Sequence, residues 1–288
     1  MLTFQNVGME KELRFSIFIT SHNSPNECIS ACSLRTAGYT GDIYIVIDDE
    51  DPKFDEYDNQ NYNILVFNKQ EYVDKLDIGM SKSNPQLAAV LYARAAVEDY
   101  AKYLGLDYFI VMDDDIYGFR YRYIDGDKLC SKPVEKFNDI IDNYIQFMQA
   151  TNSICLSFAH DGSFIGGMSA IEKILERRSC HTIFLRDVSK EFEWKFAVNE
   201  DYVSSLLYAN VGKLMFTLPF IQRTISGMND RQEGMHDLYA STSEFQRAFY
   251  NVIACSWTCK VTEYNNHFVV RTDKNTAYPK IISDKYRR

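Results

Sequence analysis

No CxxC pair, no glycine-rich phosphate loop and no long apolar run occurs in this 288-residue chain. Each absence excludes a class. The seven cysteines are scattered and odd in number, which argues against a disulfide framework or a zinc site and for reduced thiols in a cytosolic setting. Neither GxxxxGK[ST] nor GxGxxG is present, so neither a P-loop nor a dinucleotide fingerprint applies. The missing glycine-rich loop after the first strand also counts against a sugar nucleotidyltransferase. No apolar stretch approaches the roughly 20 residues needed to cross a bilayer. Met1 to Arg14 carries mixed charge without an apolar core, so no signal peptide is expected. These absences lead to the expectation of a cytoplasmic protein with no membrane partner. Positive charge is also scarce: the net charge is -9 and the pI near 5.1. Such a chain is no generic polyanion binder, and contact with nucleic acid would need a local basic patch.

What is present centres on Tyr108-Phe109-Ile110-Val111-Met112-Asp113-Asp114-Asp115. Five apolar residues have the length and bulk of a buried strand, and three carboxylates emerge at its C-terminal end. In an open α/β sheet, ligands bind at that edge. Crowded acids repel one another unless a cation sits among them. Hard cations such as Mg²⁺ or Mn²⁺ take oxygen ligands, commonly one or two carboxylates plus substrate phosphates. The triplet therefore points to a metal-dependent site for a phosphorylated substrate. A solvated acidic turn is the plain alternative.

The preceding residues support a nucleotide-binding half. Phe15 to Ile19 reads as a first strand, ending in the polar loop Thr20-Ser21-His22-Asn23. Ser24, Pro25 and Glu27 suit a helix start with a capping box, with Ile29, Cys32 and Leu34 inward. Ile43 to Ile47 and Asn63 to Phe67 are further strands, the first ending in Asp48-Asp49-Glu50-Asp51. Strand, helix, strand at this spacing opens a parallel sheet. An acid such as Asp48 suits the ribose hydroxyls or base edge of a nucleotide. A long helix is expected from about Pro85 to Leu104. Arg94 lies on its apolar stripe, where a guanidinium is costly unless paired. It either pairs with an acid at the sheet edge or borders the nucleotide pocket.

In the second half, Phe119-Arg120-Tyr121-Arg122-Tyr123 alternates basic and aromatic residues. On a strand the arginines share one face, suited to phosphates, and the aromatics the other, suited to stacking on a base. Pro133 to Ala150 reads as an amphipathic helix, and Ser153 to Phe158, Ile183 to Leu185 and Lys213 to Leu218 as strands. Gly166 and Gly167 would let backbone approach a donor sugar or acceptor closely. Asn199 suits a helix cap, with Glu200 and Asp201 in the first turn. Either acid also suits the general base for transfer to a hydroxyl. Gln222 to Asp237, with Arg223 and His236, reads as a mobile loop over the site. Lys274 and Lys280 could neutralise a pyrophosphate.

Several of these segments together resemble a known family. The Ser21-His22 loop, the acid after the second strand and the Asp-x-Asp resemble GT-A nucleotide-sugar glycosyltransferases. Gly38 to Asp48, Met112 to Ile116 with Phe119-Arg120-Tyr121-Arg122, Asn199 to Tyr202, Phe216 to Pro219 and Tyr278 to Ile281 resemble the TET-associated glycosyltransferases. The resemblance implies a GT-A-type α/β fold: a Rossmann-like, mostly parallel sheet flanked by helices, with a mixed acceptor-side half. It implies one domain over 1–288, with 1–125 binding the nucleotide sugar and 126–288 the acceptor. It also implies metal-dependent transfer from a UDP-sugar, with glucose or arabinose both fitting, to 5-hydroxymethylcytosine in DNA, many members being from phages. Thr20, Ser21, His22, Asp48, Arg94, Asp113, Asp114, Gly167, Lys274 and Lys280 are then the expected donor contacts. Asp113 and Asp115 would hold Mn²⁺ or Mg²⁺, and Asp201, with Glu200 second, would be the base. The family's histidine-rich C-terminal segment is replaced here by Arg271-Thr272-Asp273-Lys274, so the third metal ligand would be His267, Asp273, His236 or water. Alternatives are transfer to a glycan or protein hydroxyl, or nucleotide-sugar binding without turnover.

Overall fold

A computed structural model describes residues 13–58, 62–79, 89–169, 179–225 and 242–279. Four parallel strands lie where the apolar runs predict: β1 (Phe15–Thr20), β2 (Asp42–Asp48), β3 (Asn63–Phe67) and β4 (Tyr108–Asp113). The sheet continues through β5 (Ile116–Asp125), β6 (Lys128–Pro133), β7 (Cys155–His160), β8 (Ile183–Asp187) and β9 (Met215–Ile225). Its order is β3-β2-β1-β4-β8-β7-β9-β5-β6. β8 pairs antiparallel with β4 and β7, while β9 runs parallel to β7 and antiparallel to β5. The architecture is therefore a Rossmann-like parallel half continued by a mixed one, as expected.

The helices are α1 (Ile29–Thr36), α2 (Phe54–Asp58), α3 (Lys69–Lys75), α4 (Ala89–Tyr103), α5 (Phe137–Thr151), α6 (Glu200–Asn210), α7 (Glu244–Ala254) and α8 (Lys274–Ala277). A hairpin, β10 (Cys259–Tyr264) with β11 (His267–Thr272), stands apart from the main sheet. Alternate residues of β1 and β4 enter different cores, as the two-residue period of a strand requires. Ile17, Ile19, Ile110 and Met112 pack with Leu34, Phe137, Ile141 and Tyr144. Phe18, Phe109 and Val111 pack with Tyr92, Ala96, Val97 and Trp194. Both faces of the central strands are thus covered, which explains their unbroken apolar runs. All seven cysteines are free thiols, and no described helix is long and apolar enough to cross a membrane.

Several boundaries differ from expectation. Ser24 does not cap a helix: its Oγ donates to the His22 carbonyl and its N–H to Tyr57 Oη, so Pro25–Glu27 forms a separate 3₁₀ turn and α1 starts at Ile29. Ser30, Ala31, Ser33 and Leu34 are its buried side chains, whereas Cys32 is exposed. Pro133 closes β6, and α5 begins only at Phe137. Gln222 to Ile225, expected in a loop, completes β9. The ladder with β7 skips Pro219, Phe220 and Ile221, since Leu218 pairs with Phe158 and Gln222 with Ala159. A proline cannot donate to a ladder, and a bulge accommodates it.

The ring of Phe137 sits 4.7 Å from that of Phe119, 5.8 Å from Phe158 and 6.1 Å from Tyr39. Phe137→Ala should cost about 3–5 kcal/mol of unfolding free energy, the range for emptying a buried aromatic site. Denaturant titration with an unchanged m-value would establish it.

Candidate active site

The connection after β1 runs outward to β2 and β3, then returns to place β4 on the other side of β1. That reversal opens a crevice at the strands' C-terminal ends. Thr20, Asp48 and Asp113 are the last residues of β1, β2 and β4. The three polar loops expected to converge do so.

The aspartate turn is held from α1. Ser30 Oγ donates to the Asp113 carbonyl (2.7 Å) and accepts from the Ile116 N–H (2.9 Å), while the Ser30 N–H donates to the Asp114 carbonyl (3.2 Å). Ser21 Oγ donates to Asp114 Oδ2 (2.5 Å) and also meets Tyr57 Oη (2.8 Å). Thr20 Oγ1 donates to the Met112 carbonyl (3.4 Å). Thr20, Ser21 and Asp114 therefore help build the turn itself. Asp113, Asp114 and Asp115 are all partly exposed at its tip.

A second cluster surrounds Asp48. His22 Nδ1 lies 3.1 Å from Asp48 Oδ2 and 3.5 Å from Asp51 Oδ2. Lys69, buried at the start of α3, lies 3.7 Å from Asp48 Oδ1 and 3.4 Å from Glu50. The hydrogen bond to Asp48 raises the His22 pKa against the opposing effect of burial. Burial pushes Asp48 up, but His22 and Lys69 outweigh it and hold its carboxyl below the ordinary range.

The two halves meet at Arg94. Its guanidinium, 3% exposed, donates from Nη2 to Asp113 Oδ1 (3.0 Å) and from Nη1 to Glu200 Oε1. Its Cζ lies 4.8 Å from the Phe184 ring centroid and 5.4 Å from that of Trp194. Arg94 is a buried structural pair, and its partner Asp113 sits at the crevice. Beside Glu200, Asp201 Oδ2 contacts His181 Nδ1 (2.8 Å), whose Nε2 meets Ser179 Oγ (2.9 Å). Burial pushes Glu200 up to about 7, with Arg94 opposing and Asp201 adding to the rise. Asp201 goes the other way: burial raises it, but His181 and Arg94 hold it below the usual carboxylate range. Asn199 takes a left-handed backbone (φ 55°) and makes no side-chain cap. Its Nδ2 instead donates to the Arg247 carbonyl at 3.4 Å.

Arg223, expected in a loop, lies on β9 and belongs to this centre. It is buried, its Nη2 donates to Thr182 Oγ1 (2.7 Å), and its Nε and Nη1 have no partner among the described residues. Burial lowers its pKa, opposed by the charges of Asp113, Asp115, Asp161 and Asp201. Each unpaired buried donor costs roughly 1–3 kcal/mol.

Other expected contacts are placed differently. Phe119 and Tyr121 face the interior around Phe137 rather than a base. Of that aromatic set, Tyr123 is exposed. Arg120 Nε donates to Ser131 Oγ (3.1 Å), and Arg122 Nε to Gln222 Oε1, whose amide in turn bonds Asp161. Gly167 has φ 60°, and a side chain there would meet nothing within 4 Å. Its glycine serves the left-handed backbone, not a close approach within the fold. His267, largely exposed, is bonded to Glu244 (2.9 Å). Lys274 is exposed at the start of α8. Lys280 and His236 lie outside the described residues.

Among the described residues, no three His, Cys, Asp or Glu side chains form a metal-binding group, so His267 does not join Asp113 and Asp115. Those two carboxylates still fit Mg²⁺ or Mn²⁺, which draws remaining ligands from substrate phosphates and water.

An open α/β sheet with a parallel half continued by a mixed one is consistent with a Rossmann-like GT-A fold. The TET-Associated Glycosyltransferase family profile matches residues 15–224. The chain belongs to that family and is a glycosyltransferase, acting between a nucleotide sugar and an acceptor. No curated protein matches it.

A raised carboxyl pKa means that folding favours the protonated acid, so stability from this group is full below its unfolded pKa and declines as pH rises to the folded one. Glu200→Gln removes that decline. Its stability relative to the parent should therefore rise between pH 4.5, the ordinary value, and about 7. Paired denaturant titrations across this range would reveal it. A flat difference would show that Glu200 titrates normally.

Proposed function

We propose that the protein moves a sugar, glucose or arabinose, from a UDP-sugar to the hydroxyl of 5-hydroxymethylcytosine in DNA, with Mn²⁺ or Mg²⁺. The observation that carries this reading is the Arg94 bridge, which ties the acid turn of the nucleotide half to the Glu200–Asp201 pair. Residues 1–125 then serve the donor and 126–288 the acceptor. His22, Asp48 and Asp51 line the nucleoside end of the crevice, where carboxylates suit ribose hydroxyls.

Asp113 and Asp115 would hold the cation. When bound, it would offset the charge that grows on the departing diphosphate. Asp201 accepts the acceptor hydroxyl's proton as the oxygen bonds to the anomeric carbon and the sugar–phosphate bond breaks. Its lowered pKa keeps it ionised and ready at neutral pH. His181 orients it through Oδ2, and the Tyr202 N–H holds Oδ1 at 2.6 Å. Arg94 compensates the acids around it so that Asp113 and Asp201 can both carry charge.

The family resemblance supports the modified base as acceptor. The net charge of -9 favours a second reading, transfer to a glycan or protein hydroxyl, which lacks a phosphate backbone to repel. Free thiols throughout support a cytoplasmic setting.

Incubation with UDP-glucose or UDP-arabinose, Mn²⁺ and either hydroxymethylated or plain duplex DNA should label the modified DNA alone. Donor hydrolysis without labelled DNA would move the assignment to the second reading. Asp115→Ala should abolish both transfer and metal-dependent donor hydrolysis. Asp201→Asn should slow transfer by at least about 100-fold, the lower range for a general base, with donor affinity unchanged. Loss of donor binding in that variant would remove Asp201 from the role.

A further inference from the structure

We infer that Arg223 is a binding residue for the diphosphate of the donor, a part that nothing in the sequence pattern assigns to it. The inference rests on the nucleotide-sugar reading above. Three observations carry it. Arg223 is 6% exposed, yet its Nε and Nη1 lack partners among the described residues. The one bond it makes, to Thr182, occupies Nη2. The acids whose charges act on it come from both halves of the site: Asp113 and Asp115 from the metal turn, Asp161 after β7, and Asp201.

A guanidinium set among carboxylates normally forms a paired fork with one of them. Here three of the four neighbouring acids are committed elsewhere. Asp113 is bonded to Arg94, Asp161 to Gln222, and Asp201 to His181. Arg223 is thus attracted to all of them while Nε and Nη1 are bonded to none. Nε–H and Nη1–H lie on different edges of the planar guanidinium, on either side of Nη2, so each can donate to its own phosphate oxygen. The acids alone would repel a diphosphate, and Arg223 together with the cation of the metal turn would offset that repulsion. Strand pairing fixes the arginine's backbone in advance: Arg223 is paired to His160 of β7 and to Phe119 of β5. Such preorganised positive charge lies ready for the charge that develops on a leaving diphosphate.

The test compares each common nucleoside diphosphate with its nucleoside by calorimetry in Mn²⁺, for the parent, Arg223→Met and Arg223→Lys. The parent should prefer a diphosphate to its nucleoside. Arg223→Met should reduce that preference about tenfold or more, as expected for lost charge-assisted bonds, with nucleoside affinity unchanged. Arg223→Lys keeps the charge but loses the two separately directed donors and should recover part of the preference. A purely structural arginine would lower thermal stability without altering this ratio. A parent-like ratio in Arg223→Met overturns the inference while leaving the glycosyltransferase reading intact. If that variant does not fold, a parent-like ratio in Arg223→Lys overturns it equally. A parent that shows no diphosphate preference defeats the nucleotide-sugar reading, and the inference falls with it.

Discussion

A single buried guanidinium holds the site together. Arg94 lies among Phe184 and Trp194 on one side and bonds Asp113 and Glu200 on the other. Burying one charge alone would be prohibitive. Burying it between carboxylates from two distant stretches of chain makes each half necessary to the other. Remove the arginine, and Asp113, Glu200 and Asp201 would face one another with their main compensation gone. The arrangement resembles other buried ion networks in that breaking one member is far costlier than the network's net worth.

The rest of the site uses the same device at smaller scale. Acids at the crevice in the first half are held by neutral or positive neighbours: Asp48 by His22 and Lys69, Asp51 by the Asn23 N–H, Asp114 by Ser21. Hydroxyls of Ser21, Ser30 and Tyr57 connect these clusters. This accounts for an acidic crevice that is rigid before any ligand arrives. On the far side, Glu200 and Asp201 are adjacent in sequence but opposite in protonation tendency. One is paired within the core, and the other is turned toward His181.

The parallel half was legible because its strands are continuous apolar runs with acids directly at their ends. Periodicity also exposed Arg94, since a cation on a helix stripe demands a partner. What stayed hidden depends on contacts distant in sequence. Nothing local in Ile29-Ser30-Ala31 says that the serine will brace a turn more than eighty residues away. His181 reads as a lone histidine until α6 brings Asp201 to it. Arg223 was hidden by its neighbours, because Pro219 and the polar residues after Ile225 give the segment a loop's composition although it is a strand. Residue type alone suits Ser24 and Asn199 to caps, but the Ser24 hydroxyl turns back to the His22 carbonyl and the Asn199 amide reaches Arg247.

The skipped stretch of β9 sets a parity for the protein. Pro219, Phe220 and Ile221 let the strand leave its ladder with β7 and rejoin it at Gln222. Side chains alternate between the faces of a sheet, so a rejoining strand counts odd from even. An insertion or deletion of a single residue within that detour would leave composition and hydrophobicity almost untouched, yet exchange the directions of Gln222 and Arg223. The detour must therefore keep the parity of its length, while exposed Phe220 is the position in it where a change of side chain disturbs no packing.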